Sequence, residues 1–327
     1  MRIHIQNDST GDWPPITPAH WDVVRPRLTV ESEVTFGSRP GDFRAVARDI
    51  EVLLISASAL RDLLPLDTPL LKIIFCTWAG LEDLAPYEWL PPGTILLNGS
   101  GVHAVKCSQY VLMALLMLAN QLPALVNAQQ EQRWERLYGM TLEGRRLTIL
   151  GLGAIGGASA SLARRLGMRV TGMRTTARSH PDCERVVTID QLDSVLPETD
   201  YLALALPLTK ATENLVDRRR LAMLPRHAGV VNVGRGTVLD EEALCDLLDA
   251  DRLAAAVLDV FHAEPVPSNH RLWTTRHLIM TPHVSADDLQ TNNALTLRIF
   301  ADNLNARAAG LPMPNAFDTS RGTRVRT

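Results

Sequence analysis

The sequence predicts an α/β protein built of two doubly wound parallel sheets, the second inserted within the first. Three observations predict it. The chain is 327 residues long, about two domains at roughly 150 residues each. Short apolar runs alternate with helical patterns through both halves, as in parallel sheets covered by helices on both faces. A glycine-rich turn, GLGAIG at 151–156, joins one of those apolar runs to a helical stretch.

In the first half, RIHI at 2–5 reads as a strand, and a helix opens near Thr17, with Pro18 at a first-turn position. Strands are predicted at 33–36, 51–55 and 72–75, with a helix over 41–49. Pro91-Pro92-Gly93 breaks the chain before TILLNGSG, and a long helix starts near Val102. In the second half, strands are predicted near 147–150, 169–173, 186–187, 201–206, 230–233, 255–260 and 278–280. Helices are predicted at 155–166, 190–196, 213–224 and 240–250. An amphipathic helix over 290–308 is long enough to return to the first domain. The expected organisation is a substrate domain of 1–99 plus 288–327 around a dinucleotide domain of 100–287. The tail from Met313 loses periodicity and is expected to be loose.

Composition narrows the function. At 46% hydrophobic and 21% charged residues the chain is an ordinary globular protein. A net charge of −3 and a pI near 6.3 argue against nucleic acid or an anionic membrane as partner. The run Arg218-Arg219-Arg220 reads as a solvated helix start. Cys76, Cys107, Cys183 and Cys245 are scattered, without metal-ligand spacing, so no metal site is expected and a reducing compartment suits the chain. MRIHIQNDSTGDWPP holds no signal-peptide core, and the expected location is the cytoplasm. The apolar stretch Tyr110 to Val126 is shorter than the ~20 residues of a bilayer span and carries Asn120, Gln121 and Pro123. It reads as a buried or subunit-facing helix.

The glycine turn carries chemistry because of its context. Gly151 permits the tight turn, Gly153 lets the backbone approach a pyrophosphate, and Gly156 allows close helix–strand packing. The helix N-terminus then offers free N–H groups and a positive dipole end to phosphates. A strand–helix turn without ligand is the plainer alternative. With a strand on either side of the helix, a dinucleotide site of the Rossmann kind is the better reading.

The next strand, RVTGM, runs into Arg174-Thr175-Thr176-Ala177-Arg178. A carboxylate about 20 residues past the glycines would bind the ribose hydroxyls of NAD. Arg174 stands there instead. A guanidinium can pair with a 2′-phosphate, so NADP is the favoured cofactor, with NAD possible if Arg174 merely stacks on adenine.

Three ionisable residues follow three later strands: Arg235 after VVNVG, Glu264 beyond AVLDVFHAEP, and His283 after LIMTP. All three belong to the edge where ligands bind in open α/β sheets. Singly, each is unremarkable. Together they fit reduction of a 2-oxo acid: Arg235 offers a planar fork to the carboxylate, and His283 is a general acid. Glu264 would orient the imidazole. Among competitors, Asp259 is expected to face the nicotinamide carboxamide, and His262, His270 and His277 to lie in a solvated loop.

These segments, with LPLTKATENLV at 206–216 and NGSGVHAVKCSQYVLMALL at 98–116, resemble the D-isomer-specific 2-hydroxyacid dehydrogenase family, most closely its glyoxylate/hydroxypyruvate reductase branch. The resemblance spans most of 70–310. It implies a catalytic triad of Arg235, Glu264 and His283, a Rossmann cofactor domain inserted into a flavodoxin-like substrate domain, an active site in the interdomain cleft, and a homodimer. The implied cofactor set is Gly151, Gly153, Ala154, Ile155, Gly156, Arg174, Thr175, Leu206, Pro207, Val233, Gly234, Asp259 and Ser285. Trp78, Ala79 and Gly80 stand where the family presents backbone N–H groups to the substrate carboxylate, beside Arg235 and His283 as substrate-binding residues. Trp78 either shapes the pocket or packs beneath the loop. Gln109 departs from the Glu common in the family.

Two other readings share the fold. One is a cofactor-sensing, corepressor-like binding protein, which usually has longer disordered tails. The other is phosphoglycerate or phosphite oxidation, for which Lys106 and His103 are the nearby hints.

Overall fold

The computed structural model describes residues 1–9 and 13–320, with the backbone of the short strand at 323–324. The chain divides into two compact units, 1–102 with 288–327, and 103–287.

In the first unit, β1 (Arg2–Gln6), β2 (Glu33–Gly37), β3 (Val52–Ile55), β4 (Ile73–Cys76) and β5 (Ile95–Asn98) form a parallel sheet in the order β2-β1-β3-β4-β5. That is the flavodoxin-like order. Its central strands are buried on both faces, which is why VLLI and IIFC read as continuous apolar runs rather than alternating ones. Helix α1 (Pro18–Val24) starts where the sequence placed it: the Thr17 hydroxyl accepts from the His20 backbone N–H, and the His20 ring accepts from the Thr17 N–H. Helices α2 (Pro40–Val46) and α3 (Ala57–Leu63) contribute Phe43 and Leu60 to the core on one face of the sheet. The sequence reading missed α3. Its seven residues are too few to show a helical period, and the Ser56 cap on Ala59 N–H is the one local signal.

In the second unit, α4 (Ala104–Ala119) and α5 (Leu122–Gln130) precede β6 (Arg146–Leu150), α6 (Ala154–Arg165), β7 (Arg169–Met173), β8 (Arg185–Val187) and β9 (Tyr201–Leu204). Then follow α7 (Arg218–Met223), β10 (Gly229–Asn232), α8 (Glu241–Asp249), β11 (Ala255–Leu258) and β12 (Leu278–Met280). The seven strands are parallel in the order β12-β11-β10-β9-β6-β7-β8, so the order reverses between β6 and β9. One face is covered by α4 and α6 through Val111, Leu115 and Ala160, the other by α7 and α8 through Leu221 and Leu244.

Several boundaries differ from expectation. The apolar stretch 110–126 is not one helix: Gln121 takes φ 54°, and α4 and α5 meet at a bend of 65°. Among the described residues no single helix is long and apolar enough to cross a membrane. The helix expected over 213–224 shrinks to α7, because Asn214 takes φ 49° and Val216 bridges to Leu239. That expected at 190–196 is two 3₁₀ turns, the second opened by Pro197. The strands expected at 201–206 and 255–260 end at Leu204 and Leu258, releasing the residues beyond them into loops. The arginines of α7 are paired rather than merely solvated, Arg218 with Asp246 and both Arg219 and Arg220 with Asp193.

The chain returns to the first unit through α9 (Asn292–Ala308), whose Phe300 packs edge-on against Phe75 of β4 at 5.4 Å. The tail is not loose up to residue 320. Met313, Asn315 and Phe317 are buried, and the Asn315 amide donates to the carbonyls of Asn98 and Ser100. Polar anchoring of this kind leaves no periodic trace. The rest of the expected loose tail, 321–322 and 325–327, lies outside the described residues.

Candidate active site

The glycine turn follows β6 on the sheet's C-terminal edge. Gly151 adopts φ 101°, and a Cβ there would come within 2.6 Å of the Ala205 carbonyl oxygen. A Cβ on Gly156 would meet the Gly151 carbonyl oxygen at 1.8 Å, so α6 rests directly on the turn. Gly153 differs: a Cβ would touch nothing within 4 Å. It is the N-cap of α6 and supplies no side-chain cap to the first-turn N–H groups, and the space at Gly153 is open. That space suits a diphosphate at a helix N-terminus. Arg174 and the exposed Thr175 follow β7, and Arg174 has no carboxylate partner among the described residues.

The loops after β9, β10, β11 and β12 leave the same edge. They bring Leu206 and Pro207, then Val233, Gly234 and Arg235, then Asp259 and Glu264, then Thr281, His283 and Ser285. Gly234 is wedged against the Leu206 backbone, with a Cβ position 2.7 Å from its carbonyl oxygen. Arg235 is half-buried and its guanidinium donates to the Gly234 carbonyl at 2.9 Å.

His283 and Glu264 meet. The imidazole Nδ1 lies 2.7 Å from Glu264 Oε2, and both side chains are partly exposed. A carboxylate only accepts, so Nδ1 carries the proton and Nε2 is left to exchange one. Glu264 Oε1 accepts the Phe261 backbone N–H at 2.8 Å. His283 sits at φ 55°, a backbone conformation that a non-glycine residue holds only when its surroundings impose it.

Asp259 imposes it. Its carboxylate is wholly buried and accepts from the Val284 and Ser285 N–H groups at 2.9 Å each, and from the Thr281 hydroxyl at 2.5 Å. The carboxylate thus anchors the segment that carries His283. Thr281 and Tyr110, whose hydroxyls lie 2.5 Å apart, extend the chain of bonds to α4 and were not foreseen. A tyrosine inside an apolar helix run gives no sign of its partner. Of the three rival histidines, His270 and His277 are less solvated than expected, whereas His262 is exposed as a residue and bonded at its ring. His262 Nε2 bonds the Leu239 carbonyl at 2.7 Å, His270 Nδ1 accepts from Leu272 N–H, and the His277 side chain is 14% exposed.

Residues 112–285, more than half of the chain, match the D-isomer specific 2-hydroxyacid dehydrogenase NAD binding domain. The chain belongs to the D-isomer specific 2-hydroxyacid dehydrogenase family. Among curated relatives of the family, a glyoxylate reductase of Korarchaeum cryptofilum is 28% identical over 253 residues, 76% of either chain. A D-3-phosphoglycerate dehydrogenase of Methanocaldococcus jannaschii is 26% identical over 283 residues, 85% of this chain and 54% of that protein. The chain thus spans about half the length of the phosphoglycerate dehydrogenases that it matches. The family's crystal structure from Xanthobacter autotrophicus, in complex with NADPH and MES, has a TM-score of 0.79 and 26% identity, covering 98% of this chain and 99% of that one.

The family's expected substrate loop lies in the first unit, at the end of β4. Asn98 Nδ2 donates to the Ala79 carbonyl at 2.6 Å, and Gly99 is wedged against Thr77, with a Cβ position 2.0 Å from its carbonyl oxygen. The N–H groups of Ala79 and Gly80 have no acceptor among the described residues. Trp78 is 37% exposed. His103 is not a free cation: its Nδ1 lies 3.1 Å from the Ala286 carbonyl, and burial pushes its pKa below the usual imidazole value.

Proposed function

We propose that the chain reduces small 2-oxo acids to D-2-hydroxy acids with NADPH as the favoured reductant, glyoxylate and hydroxypyruvate being the preferred substrates. The observation that carries this reading is the 2.7 Å bond between His283 Nδ1 and Glu264 Oε2 on the edge that also holds Arg235 and the glycine turn. When bound, the nicotinamide would supply a hydride for the carbonyl carbon. His283 Nε2 delivers the proton that the carbonyl oxygen then needs, and Glu264 keeps the ring oriented. Arg235 binds the carboxylate and carbonyl oxygens through its planar fork. The N–H groups of Ala79 and Gly80, without an acceptor among the described residues, are donors of a kind suited to a carboxylate.

Gly151, Gly153 and the first turn of α6 would hold the cofactor's diphosphate, and Arg174 the 2′-phosphate of NADP. Leu206, Pro207, Val233, Gly234 and Ser285 would line the path between them and the nicotinamide. The engagement of His103 by Ala286 weakens the phosphorylated-substrate reading, because the ring offers less charge to a phosphate. A cytoplasmic homodimer belongs to the same proposal. Met113 and Leu116 of α4 and Leu122 of α5 are exposed, as are Trp134 and Tyr138 beyond them. A patch of this kind suits burial against a second copy.

Steady-state kinetics with glyoxylate, hydroxypyruvate, pyruvate and phenylpyruvate, each with NADPH and NADH, test the reading. Higher kcat/KM with NADPH is expected throughout. Higher values with NADH would overturn the Arg174 argument, and no turnover of any acid would overturn the function.

A further inference from the structure

We propose that His262 and Glu241 are positioning residues that hold the Glu264 loop in register with the Arg235 turn. The inference rests on the reaction proposed above. Neither side chain touches His283, yet each fixes the backbone that presents Glu264 to it.

The turn that Arg235 opens runs through Gly236–Val238 to Leu239, and α8 begins two residues later at Glu241. The loop from Phe261 to Glu264 lies against it and is tied at three points. A Cβ on Gly236 would meet the Phe261 carbonyl carbon at 2.0 Å, so the two backbones touch. The His262 N–H donates to Glu241 Oε1 at 2.7 Å. The His262 ring reaches back to the Leu239 carbonyl, also at 2.7 Å, and a carbonyl only accepts, so Nε2 bears the proton.

Glu241 is 4% exposed, an uncommon setting for a carboxylate unless its bonds organise something. Its place in the first turn of α8 offsets part of that cost, because the helix dipole favours negative charge there. The frame thus closes from Arg235 through Leu239 and His262 to Glu264 and His283. A supporting shell of this kind keeps reacting groups within the small tolerance that catalysis demands.

The test compares two amides. In His262→Gln the amide nitrogen stands near the place of Nε2 and can still donate to Leu239. In His262→Asn it falls short. His262 is exposed as a residue and adjoins a cavity of about 120 Å³ bordered by Val266 and His270, so both variants should fold. Turnover of glyoxylate by the unaltered chain is measured first, and its absence would sink the proposed function rather than this inference. Given turnover, His262→Asn is expected to lower kcat by roughly tenfold or more, with NADPH affinity by fluorescence and Tm near the parent values. His262→Gln is expected to regain most of the loss. In a Glu264→Gln background, His262→Asn should add little, since it acts through Glu264. Equal kcat in the Asn and Gln variants, or full additivity with Glu264→Gln, would overturn the proposal.

Discussion

Glu264 divides its carboxylate between two partners: Oε2 lies 2.7 Å from His283 Nδ1, and Oε1 accepts the Phe261 N–H at 2.8 Å. Each oxygen is therefore committed, and the imidazole is held in one tautomer. Glu264→Gln keeps the shape but loses the charge. It can present an amide N–H to Nδ1 and so favour the wrong tautomer. We expect kcat to fall by roughly 10²-fold with little change in KM for glyoxylate, measured by NADPH absorbance. A loss confined to KM would assign Glu264 to substrate binding instead.

The cofactor preference depends on a single strand end. Arg174 follows β7 where a carboxylate would serve NAD. Arg174→Asp should invert the ratio of kcat/KM for NADPH and NADH, weakening NADPH by at least about tenfold. An unchanged ratio would show that Arg174 does not meet the 2′-phosphate.

Gly156→Ala should damage folding more than chemistry. Its Cβ would stand 1.8 Å from the Gly151 carbonyl oxygen, a backbone atom that cannot swing aside. Overpacking of this kind costs about 1–3 kcal/mol. Thermal melts should show a clear drop in Tm, whereas Gly153→Ala, with open space around it, should keep its Tm and lose NADPH affinity. Equal Tm losses in the two variants would contradict these separate roles.

Asp200 gives a pH-dependent prediction. Burial alone would raise its pKa. The Arg146 N–H and the His227 ring, each at 2.8 Å, instead hold it below the usual carboxylate value of 3.8. A folded pKa below the unfolded one means the stabilisation is present above about pH 4 and is lost as pH falls through the folded value. Asp200→Asn should lower Tm at pH 7 and at pH 5, and the gap from the parent should close below pH 4. A gap that widened on acidification would refute this sign.

The sequence exposed the two sheets and the residues proposed for the site because both rest on local pattern. β3, β4 and β9 are unbroken apolar runs, and the glycine turn and the strand-end Arg235, Glu264 and His283 occur at fixed places along the chain. What stayed hidden depends on distant partners. Asp259 holds the 281–285 segment, and nothing in AVLDVF reveals the three donors that arrive from it. The bond of the His262 ring to Leu239 spans 23 residues and leaves no local sign. The Gln121 break and the buried tail at Asn315 likewise arise from tertiary contacts that overrule local periodicity.

The most direct test is the turnover of His283→Asn. Asparagine tolerates the left-handed backbone that His283 occupies at φ 55°, so the variant should fold, yet its amide cannot transfer a proton. Glyoxylate reduction by NADPH should fall by roughly 10²-fold or more while NADPH still binds with its parent affinity by fluorescence titration. Turnover within a few-fold of the parent chain would remove His283 as the acid and the account with it.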